Sequence, residues 1–352
     1  MERIKKVTKD IPVIDREITK KTQEKLDNLT KPLGSLGRLE ELAKQICGIT
    51  GKVSPSLENK VIFTFAADHG VTDEGVSAYP KEVTAQMVYN FLRGGAGINV
   101  LARHVGAKVI VVDIGVAEDL KPDPRLIIRK IGYGTKNMAK RAAMIREEAV
   151  KAIETGIEIF NQELKNGIDI IGIGEMGIGN TTAASAIAAS FTGKPVEEVA
   201  GRGTGLDDSG LKNKIEVIKK SLFVNKPDST DPIDVLSKVG GFEIAGLTGI
   251  ILAAAVNKVP IVIDGFISGA AALVAFKIEP RVKEYMIAAH KSQEGGHKII
   301  LEHIGLRPLL DLDLRLGEGT GGALGIGLAD AAIKILTQMA TFKSAGVSEK
   351  KE

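Results

Sequence analysis

Five short apolar runs limit what this chain can fold into: VIFTFAA (61–67), KVIVVDIG (108–115), IDIIGIG (168–174), PIVIDG (260–265) and YMIAAH (285–290). Most are apolar at successive positions, not alternate ones. That is the pattern of strands covered by helices on both faces. Helical patterns lie between them, at 83–105, 136–164 and 266–278. Strand and helix in alternation predict an α/β fold: a Rossmann-like, mostly parallel sheet flanked by helices, with right-handed crossovers. Strand ends carry Asp68-His69-Gly70, Asp113-Ile114-Gly115, Gly172-Ile173-Gly174-Glu175 and Asp264-Gly265. Ligands of open α/β sheets sit at the carboxyl ends of strands, so these turns are the first functional signal.

The two ends of the chain lack strand patterns. Residues 15–50 and 321–342 read as helices, packed together as a small unit or laid over the sheet edge. SAGVSEKKE (344–352) reads as a frayed tail. The longest apolar stretch, 244–264, is broken by Asn257, Lys258 and Pro260. It reads as a buried helix, a turn and a strand, not a membrane span. The first residues are charged and have no apolar leader core, so the expected compartment is the cytoplasm.

Charge narrows the partners. There are 47 basic and 44 acidic residues, a formal net charge of +3, with no Trp and 4% aromatics. That balance gives no electrostatic footprint for nucleic acid and few platforms for base stacking. Cys47 is the only cysteine and sits in a helical pattern, which predicts a buried core thiol. Asp68 and His69 suggest a metal, but the other histidines, at 104, 290, 297 and 303, give no metal-ligand spacing, so none is expected. His297 and His303 read as helix-surface groups.

GIGEMGIGNTTAASAIAAS (172–190) is the richest segment. A strand ends, a glycine turn follows, and an Ala-rich helix begins near Asn180. Free amides at a helix start suit a phosphate. Gly172, Gly174 and Gly177 fit GxGxxG, a weak pattern alone, and the nucleotide-hydrolase loop GxxxxGK[ST] is absent here. The plainer alternative is a tight turn with an Asn or Thr cap, which leaves Glu175 without a purpose. GRGTGLDDSGLKNK (201–214) is a second glycine loop with Arg202, Lys212 and Lys214 nearby. It suits a phosphate or ribose, or is simply a surface loop. In HKSQEGGH, Ser292 offers a hydroxyl for a ligand or a helix N-cap.

Glu318 poses the sharpest question. In LRLGEGTGGA (314–323) it stands between two glycines, with nothing to shield it. As a helix-dipole partner for the Ala-rich helix that follows, it would contribute ~0.3–1 kcal/mol. That role does not need glycine on both sides, whereas a base that must reach a ligand does. Burial beside a flat apolar ligand would raise its pKa toward the ~6–7 useful to a general base. The helix start opposes that rise, so desolvation must be the larger effect.

Nine motifs in order, KPLGSLGRLE (31–40), AADHGV (66–71), GVSAYPKEVT (75–84), GGAGINVLAR (94–103), GIGEMGIGNTT (172–182), GRGTGLDD (201–208), DGFISGAAAL (264–273), HKSQEGGH (290–297) and LRLGEGTGGAL (314–324), cover nearly the whole chain. Together they resemble the nicotinate-nucleotide–dimethylbenzimidazole phosphoribosyltransferase family of cobalamin nucleotide-loop assembly. The resemblance implies transfer of the 5-phosphoribosyl group of nicotinate mononucleotide to 5,6-dimethylbenzimidazole, giving α-ribazole 5′-phosphate and nicotinate with inversion at C1′. It implies Glu318 as general base and Glu175 as a second catalytic group, stabilising charge at C1′ or positioning the ribose. Nucleotide contacts fall on Gly177, Asn180, Thr181, Gly203 and Lys214, with Asp264, Gly265 and Ser292. Base contacts fall on Ser77, Tyr79, Gln86, Met176 and Leu316. It also implies a homodimer, no metal or organic cofactor, a large domain over 51–320 and a small helical domain from 1–50 plus 321–352.

Three alternatives stand beside it. The same transfer to adenine, another benzimidazole or a phenol differs only in pocket shape. A non-catalytic nucleotide-binding regulator would keep the glycine turns and not need Glu318. A dehydrogenase read from GxGxxG would need an acidic residue at the end of the next strand, and SFTGKPVEEVAGRGTG shows no such strand.

Overall fold

The computed structural model describes residues 2–348. Six strands form one parallel sheet: β1 (Lys60–Ala67), β2 (Ala107–Gly115), β3 (Leu126–Ile128), β4 (Ile170–Met176), β5 (Ile261–Ile263) and β6 (Met286–Ala288). Their spatial order is β3-β2-β1-β4-β5-β6. The chain builds outward from β1 in one direction, then returns to β1's other side with β4. The crevice of such a sheet lies where the order reverses, at the carboxyl ends of β1 and β4.

The five expected strands are present. β3 has no counterpart in the sequence pattern, because a three-residue edge strand is too short to show a period. The helix expected over 83–105 is two helices, Val83–Arg93 and Gly97–Val105. Gly94 ends the first in the left-handed region, at φ 78°. The break matters, because it creates a helix start at Gly97. Of the helix expected over 136–164, only Arg146–Leu164 forms. Residues 244–264 divide as expected into the end of helix Phe242–Val256, a turn and β5.

Each face of the sheet carries its own core. On one, Phe63, Phe65, Ile171 and Ile173 are buried with helices Arg146–Leu164, Phe242–Val256 and Phe266–Ile278. The first two of these approach so closely that a Cβ on Gly156 would lie 2.0 Å from the Gly246 carbonyl oxygen. On the other face, Ile62, Ala66, Ile170 and Val262 meet helices Arg38–Thr50, Gly97–Val105 and Thr320–Gln338. Helix Arg16–Asp27 packs on Arg38–Thr50, which packs on Thr320–Gln338. The Thr30 amide donates to the Ala340 carbonyl at 3.0 Å, joining the two terminal segments.

Among the described residues, Thr320–Gln338 is the one helix long and apolar enough to cross a bilayer. Here it lies against β4, β5 and β1. Cys47 is buried, as expected. His297 is also buried and not at a helix surface; burial holds it neutral, with its pKa pushed down to about 3.

Candidate active site

Glu318 sits in a run of three left-handed residues: Gly317 at φ 83°, Glu318 at 64° and Gly319 at 99°. Glycine adopts this conformation freely, whereas a glutamate there costs roughly 1–3 kcal/mol, so the surrounding structure must hold it. Several contacts do so. Thr64 Oγ1, on β1, donates to the Glu318 carbonyl at 3.0 Å. Asp264 Oδ2 accepts the Gly319 amide at 3.0 Å and Oδ1 accepts the Gly322 amide at 3.0 Å. Gly174, on β4, has no side chain because a Cβ there would lie 2.2 Å from the Glu318 carbonyl carbon.

The Glu318 carboxylate meets a helix start, but not the one that follows it in sequence. Its Oε2 accepts the Ile98 amide at 3.0 Å, in the first turn of helix Gly97–Val105. Burial raises its pKa, the Ile98 and Gly97 amides pull it back, and the Asp264 charge adds to the rise. The net direction is upward, so desolvation outweighs the helix terminus. The result is a held, partly desolvated carboxylate.

Glu175 ends β4 beside it. A Cβ on Gly317 would lie 2.6 Å from Glu175 Oε1. Its other oxygen accepts a hydrogen bond from Asn180 Nδ2. Asn180 therefore does not cap the helix Asn180–Thr192; the cap is Gly179, at φ 91°. Burial, then the charges of Glu243 and Asp264, push the Glu175 pKa up to about 8 against the Asn180 hydrogen bond, with Glu318 adding to the rise. At pH 7 the group holds its proton. It then offers a hydrogen bond and little negative charge.

The residues expected to hold the nucleotide gather around Lys214. Its ammonium is fully buried and donates to Thr181 Oγ1 at 2.7 Å and to the Gly201 carbonyl at 3.1 Å. Burial lowers its pKa to about 8, opposed by Glu294. Gly203 closes over this pair: a Cβ there would lie 2.8 Å from Thr181 Oγ1 and 3.2 Å from Lys214 Nζ. Glu294 Oε1 accepts the Gly203 amide at 2.9 Å. Ser292 is buried nearby in sequence, its Oγ accepting the Glu294 amide at 3.3 Å. It is not the helix N-cap; that helix starts at Gly295 with Glu294 at the cap. Gly177 fills the switch point, where a Cβ would lie 2.4 Å from the Ala67 carbonyl oxygen.

Asp264 and Gly265 follow β5 and also carry structural contacts of their own. Both Asp264 oxygens accept amides of the loop that carries Glu318, and Oδ1 also lies 3.5 Å from His290 Nε2. Gly265 is the cap of helix Phe266–Ile278, and its carbonyl accepts the Gly269 amide at 2.8 Å.

The expected base side is more open. Leu316 is 61% exposed and lies against Gly97, whose added Cβ would sit 2.8 Å from Leu316 Cδ2. Met176 follows Glu175 and is half-buried with the second-face core. Ser77 and Tyr79 occupy a loop on which the Tyr79 ring is 55% exposed, while its amide donates to Ser77 Oγ at 3.2 Å. Gln86 lies on the exposed side of helix Val83–Arg93. The buried Thr84 of the same helix accepts the Ile178 amide at 3.1 Å, tying that helix to the turn after β4.

A phosphoribosyltransferase family model matches residues 11–347. The chain belongs to this phosphoribosyltransferase family. It is 60% identical over 336 residues, 96% of each chain, to the nicotinate-nucleotide–dimethylbenzimidazole phosphoribosyltransferase of Geobacter sulfurreducens. It is 56% identical over 351 residues to the enzyme of the same name from Desulforudis audaxviator, covering 100% of this chain and 99% of that one. The crystal structure of the nicotinate-nucleotide–dimethylbenzimidazole phosphoribosyltransferase from Thermus thermophilus superposes with a TM-score of 0.90 at 44% identity, covering 96% of this chain and all of that one.

Several residues of this phosphoribosyltransferase site gave no readable signal. Ile98 acts through its backbone amide, which any residue carries. Thr64 looks like an ordinary strand residue. Glu294 stands beside two glycines in HKSQEGGH, and only the fold brings it to Gly203. His69 and Glu243 form a buried pair, Nε2 to Oε1 at 2.6 Å, under the same turn; a Cβ on Gly177 would touch the His69 ring at 3.4 Å. Burial opposes the charged imidazole, yet Glu243 outweighs it and the His69 pKa is raised. The KPLGSLGRLE motif is structural here: Lys31 and Glu40 pair at 2.8 Å, both buried, and close the loop before helix Arg38–Thr50. Among the described residues no group of three or more His, Cys, Asp or Glu side chains is arranged to hold a metal ion.

Proposed function

We infer that this chain transfers the 5-phosphoribosyl group of nicotinate mononucleotide to 5,6-dimethylbenzimidazole, releasing nicotinate and forming α-ribazole 5′-phosphate, a step of cobalamin nucleotide-loop assembly. Relatives bearing that enzyme's name match over nearly the full chain at 56–60% identity, which supports the reaction. The observation that carries the mechanism is Glu318: buried, raised in pKa, and presented on a glycine-flanked loop packed against Gly174 of β4.

In this reading Glu318 takes the N–H proton of the benzimidazole. The other ring nitrogen attacks C1′ from the face opposite nicotinate, forming the new C–N bond with inversion. The old C1′–N bond breaks, and its electron pair stays on the pyridinium nitrogen, which becomes neutral. The leaving group needs no proton, so a single base suffices where glycosidases use two carboxyl groups. Lys214, Thr181 and the Gly177 and Gly203 loops hold the nucleotide, with Ser292 behind them. Glu175, kept protonated and oriented by Asn180, donates toward the ribose. Leu316, Met176, Ser77, Tyr79 and Gln86 contact the acceptor. The active form we propose is a cytoplasmic homodimer, with a large domain over 51–320 and a small helical unit from 1–50 plus 321–352.

The test is a paired assay of wild type and Glu318→Gln with nicotinate mononucleotide and a panel of bases, following nicotinate release and α-riboside formation. The expected result is an α-riboside from wild type and at least ~10²-fold slower turnover by the variant, with nucleotide binding retained. Equal rates would remove Glu318 from the chemistry. Nucleotide binding with no transfer to any base would favour a regulator.

A further inference from the structure

The acceptor-side loop is tied to the nucleotide-side elements by two side chains that neither substrate role requires. Thr204 Oγ1 accepts the Ala78 amide at 3.1 Å and shares a hydrogen bond with Ser77 Oγ at 3.2 Å. Asn213 Nδ2 donates to the Glu74 carbonyl at 2.8 Å and the Gly75 carbonyl at 3.3 Å. Each tie is adjacent in sequence to a nucleotide-side residue: Thr204 follows Gly203, and Asn213 precedes Lys214.

The local geometry turns the first tie into a lever. Gly203, at φ 53°, and Gly205, at φ 103°, bend the chain on both sides of Thr204. Residue 203 lies over Lys214 and Thr181, with its amide on Glu294. One residue further on, the Thr204 hydroxyl meets Ser77. The Ser77 oxygen already accepts the Tyr79 amide, so the hydrogen bond with Thr204 decides where its remaining hydrogen-bonding capacity points. A phosphate bound at Lys214 would lie against Gly203, and any shift of Gly203 would reach Ser77 through Thr204.

We propose that Thr204 is a positioning residue that couples the two substrates: nucleotide seated at Gly203 and Lys214 sets Ser77 through Thr204, so the nucleotide-loaded enzyme binds the acceptor base more tightly. This rests on the transferase reading above. Coupling of this kind is reciprocal, so the base must also tighten nucleotide binding by the same factor.

The experiment is steady-state kinetics with both substrates varied, on wild type, Thr204→Val and Thr204→Ser, with melting temperatures to confirm folding. Valine keeps the shape and loses the hydroxyl; serine keeps the hydroxyl. In wild type the KM for dimethylbenzimidazole should fall about fivefold or more as nicotinate mononucleotide goes from trace to saturating, the low end of ordinary coupling. In Thr204→Val that dependence should vanish, with kcat at saturation of both substrates changed less than about threefold, and Thr204→Ser should restore it. A second readout is calorimetric binding of dimethylbenzimidazole to Glu318→Gln, with and without nicotinate mononucleotide, alone and combined with Thr204→Val. A wild-type enzyme with no coupling, a Thr204→Val variant with undiminished coupling, or a serine variant that does not restore it would each overturn the proposal while leaving the transferase intact. No transfer by wild type to any base would instead sink the transferase reading, and the coupling with it.

Discussion

The Glu318 carboxylate accepts the backbone amide of Ile98 at 3.0 Å, so it is oriented by a helix start 220 residues away in sequence. That amide holds one oxygen and lowers the pKa that burial raises. The other influence is Asp264, which grips the amides on either side of the helix start at Thr320 and pushes the Glu318 pKa upward.

The pH profile should report this balance. A general base works deprotonated, so kcat/KM rises with pH through the Glu318 pKa, which lies above the ordinary carboxylate range. Asp264→Asn removes a charge that raises that pKa, so the acid limb should move to lower pH. It also replaces an acceptor with a group that carries N–H donors opposite the Gly319 and Gly322 amides. We expect kcat to fall roughly 10- to 100-fold, corresponding to ~1.4–2.7 kcal/mol of lost positioning. An unshifted acid limb in this variant would remove the electrostatic part of the argument.

Glu175 should destabilise the fold as pH rises. Its folded pKa is about 8. Below the unfolded carboxylate pKa both states hold the proton and no penalty exists. Between that pKa and about 8 the unfolded state ionises and the folded state does not, so the penalty grows; above about 8 it levels off, on the order of a few kcal/mol. Glu175→Gln, which mimics the protonated acid, should melt several degrees above wild type at about pH 8 and match it near pH ~4. Equal melting curves at the higher pH would show that the carboxyl is ionised in the fold.

Lys214 makes nucleotide affinity fall in alkali. Burial lowers its pKa to about 8, so the ammonium is lost as pH rises through that value. The KM for nicotinate mononucleotide should increase above about pH 8. In Lys214→Met it should be at least ~10-fold higher at neutral pH and lose the alkaline rise, because a charge-assisted contact to phosphate is gone. Competition with inorganic phosphate, titrated across the same range, checks the assignment to the phosphate group.

Gly174→Ala should uncouple the base from its support. The new Cβ would meet the Glu318 carbonyl carbon at 2.2 Å, inside any tolerable contact, and the obstacle is backbone. The loop must shift, at a cost of roughly 1–3 kcal/mol in stability. We expect kcat to drop much more than nucleotide affinity, because Lys214 and Thr181 lie on other elements. A variant with normal kcat would show that the 317–319 backbone need not rest on β4.

Periodicity alone determined five of the six strands and most of the covering helices, because buried parallel strands and amphipathic or apolar helices have different repeats whatever their neighbours. Glycine on both sides of Glu318 already implied an acid that something must reach. The tertiary structure decided the rest. It supplied the Ile98 amide, made possible only by the break at Gly94–Gly95 that a single helix over 83–105 would have hidden. It tied Asp264 to the loop that carries Glu318, through the Gly319 and Gly322 amides. It gave Glu175 its proton, through burial and the charges of Glu243 and Asp264. The physical reason is the same throughout: a parallel sheet brings the ends of distant strands to one edge, and both pKa values and backbone hydrogen bonds depend on what is assembled there, which no local stretch of sequence contains.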